Sequence, residues 1–101
     1  MLPEYLGDPF ASEKITVGAG ATPLTFATYT SGNHKAKNAV ITSDITTDFR
    51  FTIDGTTPTA TDGHFVDVSV DRNPIVLRGY QAINRFRAFT QNAVLYITYF
   101  R

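Results

Sequence analysis

Two histidines, nine acidic side chains and no cysteine are what this 101-residue chain offers to chemistry. His34 lies in Ser31-Gly-Asn-His-Lys35, and His64 follows Asp62-Gly63. A zinc site of ordinary spacing needs a second histidine within a few residues, and neither has one. The missing cysteine removes a thiolate zinc site, a disulfide framework and a cysteine nucleophile together. Ser69, His64 and Asp67 form a nominal serine, histidine and carboxylate set. On one strand, however, alternation sends Asp67 and Ser69 to the side opposite His64, and no nucleophile-elbow glycines flank the serine.

Asp54 and Asp62 bracket the segment Asp54-Gly-Thr-Thr-Pro-Thr-Ala-Thr-Asp-Gly63. Both carboxylates with threonine oxygens would suit a hard cation such as calcium, but the spacing matches no calcium loop. Turn chemistry accounts for each residue instead. Gly55 supplies a positive φ, Pro58 blocks further ladder pairing, and threonine hydroxyls cap exposed backbone groups. Glycoside cleavage would need two acids converging across a cleft, which turn-located aspartates do not provide. Gly18-Ala-Gly-Ala-Thr22 lacks the lysine and the following helix of a phosphate loop. The sequence therefore nominates no catalytic residue, no metal ligand and no cofactor, and a non-enzyme is expected.

Nine basic residues balance nine acidic ones, and the pI is near 6.7, so no broad field attracts polyanions. Arg85 and Arg87 interleave with Phe86 and Phe89, as in a single-strand stacking surface, but zero net charge argues for a solvent or partner face. No apolar run reaches the length of a membrane span, and Met1-Leu-Pro-Glu-Tyr5 has neither the basic nor the apolar part of a secretion signal. Neither nucleic acid nor membrane is expected as a partner, and synthesis in the cytoplasm is. Near-zero net charge also removes the repulsion that keeps monomers apart, so a homo-oligomer is expected.

The elements that would position these residues are short strands. Apolar residues make up 43% of the chain, enough for one core, and fifteen threonines favour a pleated surface over a helix. Strand-like runs recur at Lys14–Val17, Leu24–Thr28, Ala39–Thr42, Phe49–Ile53, Phe65–Val70, Ile75–Leu77, Arg85–Thr90 and Val94–Phe100. Glycine, proline and asparagine punctuate them at the spacing of a sandwich. Phe49, Phe51 and Ile53 should face the core, and Arg50, Thr52 and Asp54 solvent. Val66, Val68 and Val70 should likewise share one side. Leu95, Ile97 and Tyr99 oppose Val94, Tyr96, Thr98 and Phe100, so the last strand is apolar on both faces and should be central or partner-covered. Tyr80 to Asn84 reads as one helical turn. The expected fold is a single all-β antiparallel sandwich of about seven or eight strands, immunoglobulin-like or jelly-roll-like, over residues 13–101.

Residues 1–12 hold Pro3, Pro9 and Gly7 with no regular period, and read as an extended N-terminal arm, since proline fixes φ and restricts its predecessor. The arm's Leu2, Tyr5, Leu6 and Phe10, with Tyr80, Tyr96 and Phe100 of the domain, are the candidate partner-binding residues.

The segment Phe49-Arg-Phe-Thr-Ile-Asp-Gly-Thr-Thr-Pro-Thr-Ala-Thr-Asp-Gly-His64 resembles a pattern of small structural proteins of tailed bacteriophages. That pattern is an aromatic-Arg-aromatic strand, then Asp-Gly-Thr-x-Pro-Thr, then Gly-His. Ala82-Ile-Asn-Arg-Phe-Arg-Ala88 and Ile97-Thr-Tyr99 resemble its remainder, so the likeness runs from Ala39 to Arg101. The Asp-Gly-Thr-x-Pro-Thr core also occurs in small sandwich domains of chitin-degrading enzymes. The resemblance implies a virion protein, such as a capsid decoration (cement) protein or another head or tail accessory. Its partners would be the major capsid protein, other virion proteins and its own copies. The competing expectation is a carbohydrate-binding or host-recognition module that stacks sugars on Tyr29, Tyr80, Tyr96 or Phe100.

Overall fold

The alternating segments form eight strands in a computed structural model that describes residues 7–18, 20–44, 47–70, 74–90 and 92–101. In chain order they are β1 (Pro9–Thr16), β2 (Thr22–Pro23), β3 (Asn38–Ser43), β4 (Phe49–Thr52), β5 (His64–Val66), β6 (Ile75–Arg78), β7 (Arg87–Phe89) and β8 (Val94–Phe100). Two short helices, α1 (Phe26–Tyr29) and α2 (Tyr80–Arg85), and a 3₁₀ turn at Ser31–Asn33 complete the described elements. None of the described helices is long and apolar enough to cross a membrane.

One sheet runs β1-β8-β3-β6 and the other β2-β7-β4-β5, with every ladder antiparallel. The pairs β1·β8, β2·β7, β3·β6 and β4·β5 nest as in a long hairpin folded over on itself, which is the jelly-roll order. Of the two topologies expected, the jelly roll is the one observed.

The core lies between the sheets. Leu95, Ile97 and Tyr99 of β8 meet Ala39 and Ile41 of β3 in one sheet, with Phe49 and Ala88 supplied by the other, and all are buried. Phe51 stacks on Phe86 with ring centroids 5.7 Å apart. β8 is central, hydrogen-bonded to β1 on one side and β3 on the other, as its two apolar faces required. α2 falls where one turn was expected and buries Ile83. Two tyrosines enter the interior with their hydroxyls partnered: Tyr29 donates to Asn84 Oδ1 at 3.0 Å and Tyr99 to Glu13 Oε2.

Four local expectations are corrected. β1 begins at Pro9, so residues 9–12, assigned to the arm, form ladder with β8. Proline can open an edge strand because its missing N–H is not required there. The strand expected at Leu24–Thr28 does not form: the two-residue β2 ends before it, Leu24 and Thr25 are irregular and α1 takes up Phe26 to Thr28; Leu24 and Tyr29 are buried, while Phe26 is exposed. β4 stops at Thr52, whose Oγ1 donates to the Thr56 carbonyl at 2.6 Å, so Thr52 is buried and Ile53 is exposed. Val66 and Val68 are buried as expected, but Val70 sits in a turn after β5 and is exposed.

Candidate docking surface

The polar residues that could do chemistry are engaged in their own turns. Asp54 Oδ1 accepts from the Thr56 N–H at 3.1 Å and the Thr56 hydroxyl at 2.6 Å, and these bonds hold its carboxyl below the ordinary range. Thr59 Oγ1 accepts from the N–H groups of Thr61 and Asp62 at 3.2 and 3.0 Å. Gly55 and Gly63 take φ of +87° and +115°, the left-handed values the turn demands. From the neighbouring strand, Arg50 donates Nη1 to the Gly63 carbonyl at 2.9 Å and Nε to the Ala60 carbonyl at 3.2 Å. Its guanidinium also lies 5.0 Å from the Phe65 ring centroid. The Asp54–Gly63 segment is thus a self-tied loop pinned to β4.

The nominal triad is not assembled. Asp67 Oδ1 accepts from the N–H and hydroxyl of Ser69 at 3.1 and 2.7 Å, a local turn that also lowers the Asp67 pKa. His64 instead tilts against Phe51, with ring centroids 5.2 Å apart. Among the described residues no three His, Asp or Glu side chains converge in a metal-binding group.

Apolar surface is what remains. Register places Val94, Tyr96, Thr98 and Phe100 of β8 on the outer face of the β1-β8-β3-β6 sheet. Val40 of β3 and Val76 of β6 lie beside them, since Val76 pairs with Val40 and Val40 with Thr98. Tyr96 is 45% exposed and Phe100 is half-buried. These two expected partner residues therefore share one face. Tyr80 does not join them: it opens α2, packs on the core and carries the Lys35 ammonium 4.2 Å from its ring centroid. Phe10 also points elsewhere. It sits at a register shift in the β1·β8 ladder, packs on the core and meets the His34 ring edge-on at 5.3 Å.

The root of the arm is clamped at this end of the sheet. The Arg101 N–H donates to the Asp8 carbonyl at 3.0 Å, and Arg101 Nη1 donates to His34 Nε2 at 2.6 Å. Leu2, Tyr5 and Leu6 lie outside the described residues.

A second apolar feature opens where β5 and β6, each an edge strand, bound the same side of the sandwich. A cleft of about 400 Å³ is lined there by Phe51, Ile53 and Phe65 on the β4–β5 side and by Pro74, Ile75 and Val76 on the β6 side. Phe65 and Ile53 are exposed at its rim. Sequence alternation had already set Phe65 opposite the buried valines, but the adjacency of β5 and β6 is a product of topology alone. No family model, curated protein or solved structure matches the chain, so its functional reading rests on these surfaces and on the Phe49–His64 resemblance.

Proposed function

We propose that this chain is a non-catalytic virion structural protein of a tailed phage, a capsid decoration (cement) protein that binds the shell and its own copies. The observation that carries the reading is the outer face of the β1-β8-β3-β6 sheet. It presents Tyr96, Phe100, Val40, Val76 and Val94 in a molecule whose Asp54 and Asp67 carboxylates are committed to local turns. The resemblance of Phe49–His64 and Ala82–Ala88 to phage structural proteins supports the same reading. The jelly roll by itself does not choose, because capsid, lectin and cupin domains all use it.

A cement protein needs apolar contact area and no catalytic group. At about 25 cal/mol per Å² of apolar surface, a few hundred Å² per contact suffices when many copies act together. The test is co-sedimentation of the purified protein with shells of its own phage lacking it, with its mass measured in solution. Saturable binding to the shells is expected. A strict monomer that stays in the supernatant overturns the reading.

A further inference from the structure

We propose that the β5–β6 cleft of one copy receives residues 1–6 of a second copy, so that neighbouring molecules are linked by exchange of their N-terminal arms. This deepens the assembly reading above, on which it rests, by naming the surface that accepts the arm.

The cleft has the properties of a receptor for an extended apolar segment. Its volume of about 400 Å³ is walled mainly by Phe51, Ile53, Phe65, Ile75 and Val76. Both strands that bound it are sheet edges, so among the described residues one side of each has no strand neighbour. An entering segment can pair its backbone with such an edge while its side chains fill the cleft. Among the described residues no carboxylate lines the cleft, so Glu4, the one acidic side chain of the arm, meets no like charge from them.

The occupant follows from the sequence and from where the arm is rooted. Residues 1–6 are Met-Leu-Pro-Glu-Tyr-Leu: four of the six are apolar or aromatic, and a proline disfavours helix in the residue before it. The chain enters β1 at Pro9, which pairs with Phe100, and β1 is the edge of its sheet opposite β6. Crossing from β1 over β8 and β3 to β6 covers roughly 14 Å at about 4.8 Å per strand. Six extended residues span at most about 20 Å. A molecule's own arm would use most of that length in transit and bring only Met1 and Leu2 to the cleft, whereas a neighbour's arm can deliver Leu2, Tyr5 and Leu6 together.

The natural chain has no cysteine, so introduced thiols report alone. Full-length Leu2→Cys protein is mixed with Phe65→Cys protein, whose substituted side chain lies at the exposed rim, and the mixture is oxidised. The expected result is a disulfide-linked heterodimer formed at least about tenfold faster than with Lys14→Cys, a thiol on the β1 edge. Adding Ile53→Asp to the Phe65→Cys chain should cut the yield about tenfold, the size of effect expected of a hot-spot contact. Equal yields at the two positions overturn the proposal. So does concentration-independent closure within one chain in the double variant Leu2→Cys/Phe65→Cys. Shell co-sedimentation is read on the same proteins: binding without cross-linking removes arm exchange and leaves the assembly reading, and cross-linking without shell binding does the reverse.

Discussion

Tyr99 concentrates the residue-scale physics of this molecule. It is fully buried, and its hydroxyl is tied to Glu13, whose Oε2 also accepts from the Thr25 N–H. Burial, then the bond to Glu13, pushes the phenol far above its ordinary value of 10.0, and burial raises Tyr29 as well. Below about pH 10 the phenols are protonated both folded and unfolded; above it the unfolded chain ionises first, so their contribution to stability falls as pH rises further. Tyr99→Phe should cost about 1 to 2 kcal/mol at neutral pH and flatten the alkaline limb, as measured by denaturant melts across pH. The turn carboxylates behave oppositely. Asp54 and Asp67 are held below 3.8 by Thr56 and Ser69, so their contribution is present above that pH and lost as acid carries them through their lower folded values. Asp54→Asn should shrink the acid-side loss of stability in the same melts.

At the scale of elements, Gly63 decides whether the Asp54–Gly63 loop can close. A Cβ there would lie 3.2 Å from both the Phe51 carbonyl oxygen and Pro58 Cβ, at a φ of +115°. Gly63→Ala should cost about 1 to 3 kcal/mol in thermal or denaturant unfolding. Gly20→Ala, with open space around it and no positive φ, should be near neutral. The loop was legible because its chemistry is local: Asp, Gly, Thr and Pro each act on neighbours within a few residues. β8 was legible end to end because Val94–Phe100 is β-branched or aromatic at every position but Leu95. Where the sequence misled, a distant contact decided the outcome. Pro9 became ladder because β8 lies beside it, and Leu24–Thr28 turned into an irregular pair and α1 because Leu24 and Tyr29 both had to reach the core. Ile53 and Val70 were assigned inward by alternation, but a turn ended each strand before they could follow it. In the candidate surface, Tyr96 and Phe100 were readable from β8 alternation, whereas the cleft required knowing that β5 and β6 border the same side.

For the whole molecule, the nested β1·β8, β2·β7, β3·β6 and β4·β5 ladders mean that most stabilising pairings join distant parts of the chain, the regime of slow folding. The same nesting leaves a broad, mildly apolar sheet face on a molecule of zero net charge. Tyr96 stands on that face at 45% exposure, so Tyr96→Asp should change stability by no more than about 0.5 kcal/mol. Its effect should fall on assembly. The most direct test of the proposed function is therefore co-sedimentation of native and Tyr96→Asp protein with tailed-phage shells that lack this chain. Saturable binding of the native protein is expected, with its loss in a Tyr96→Asp variant that melts normally. Native protein left wholly in the supernatant, or equal binding by both, would contradict it.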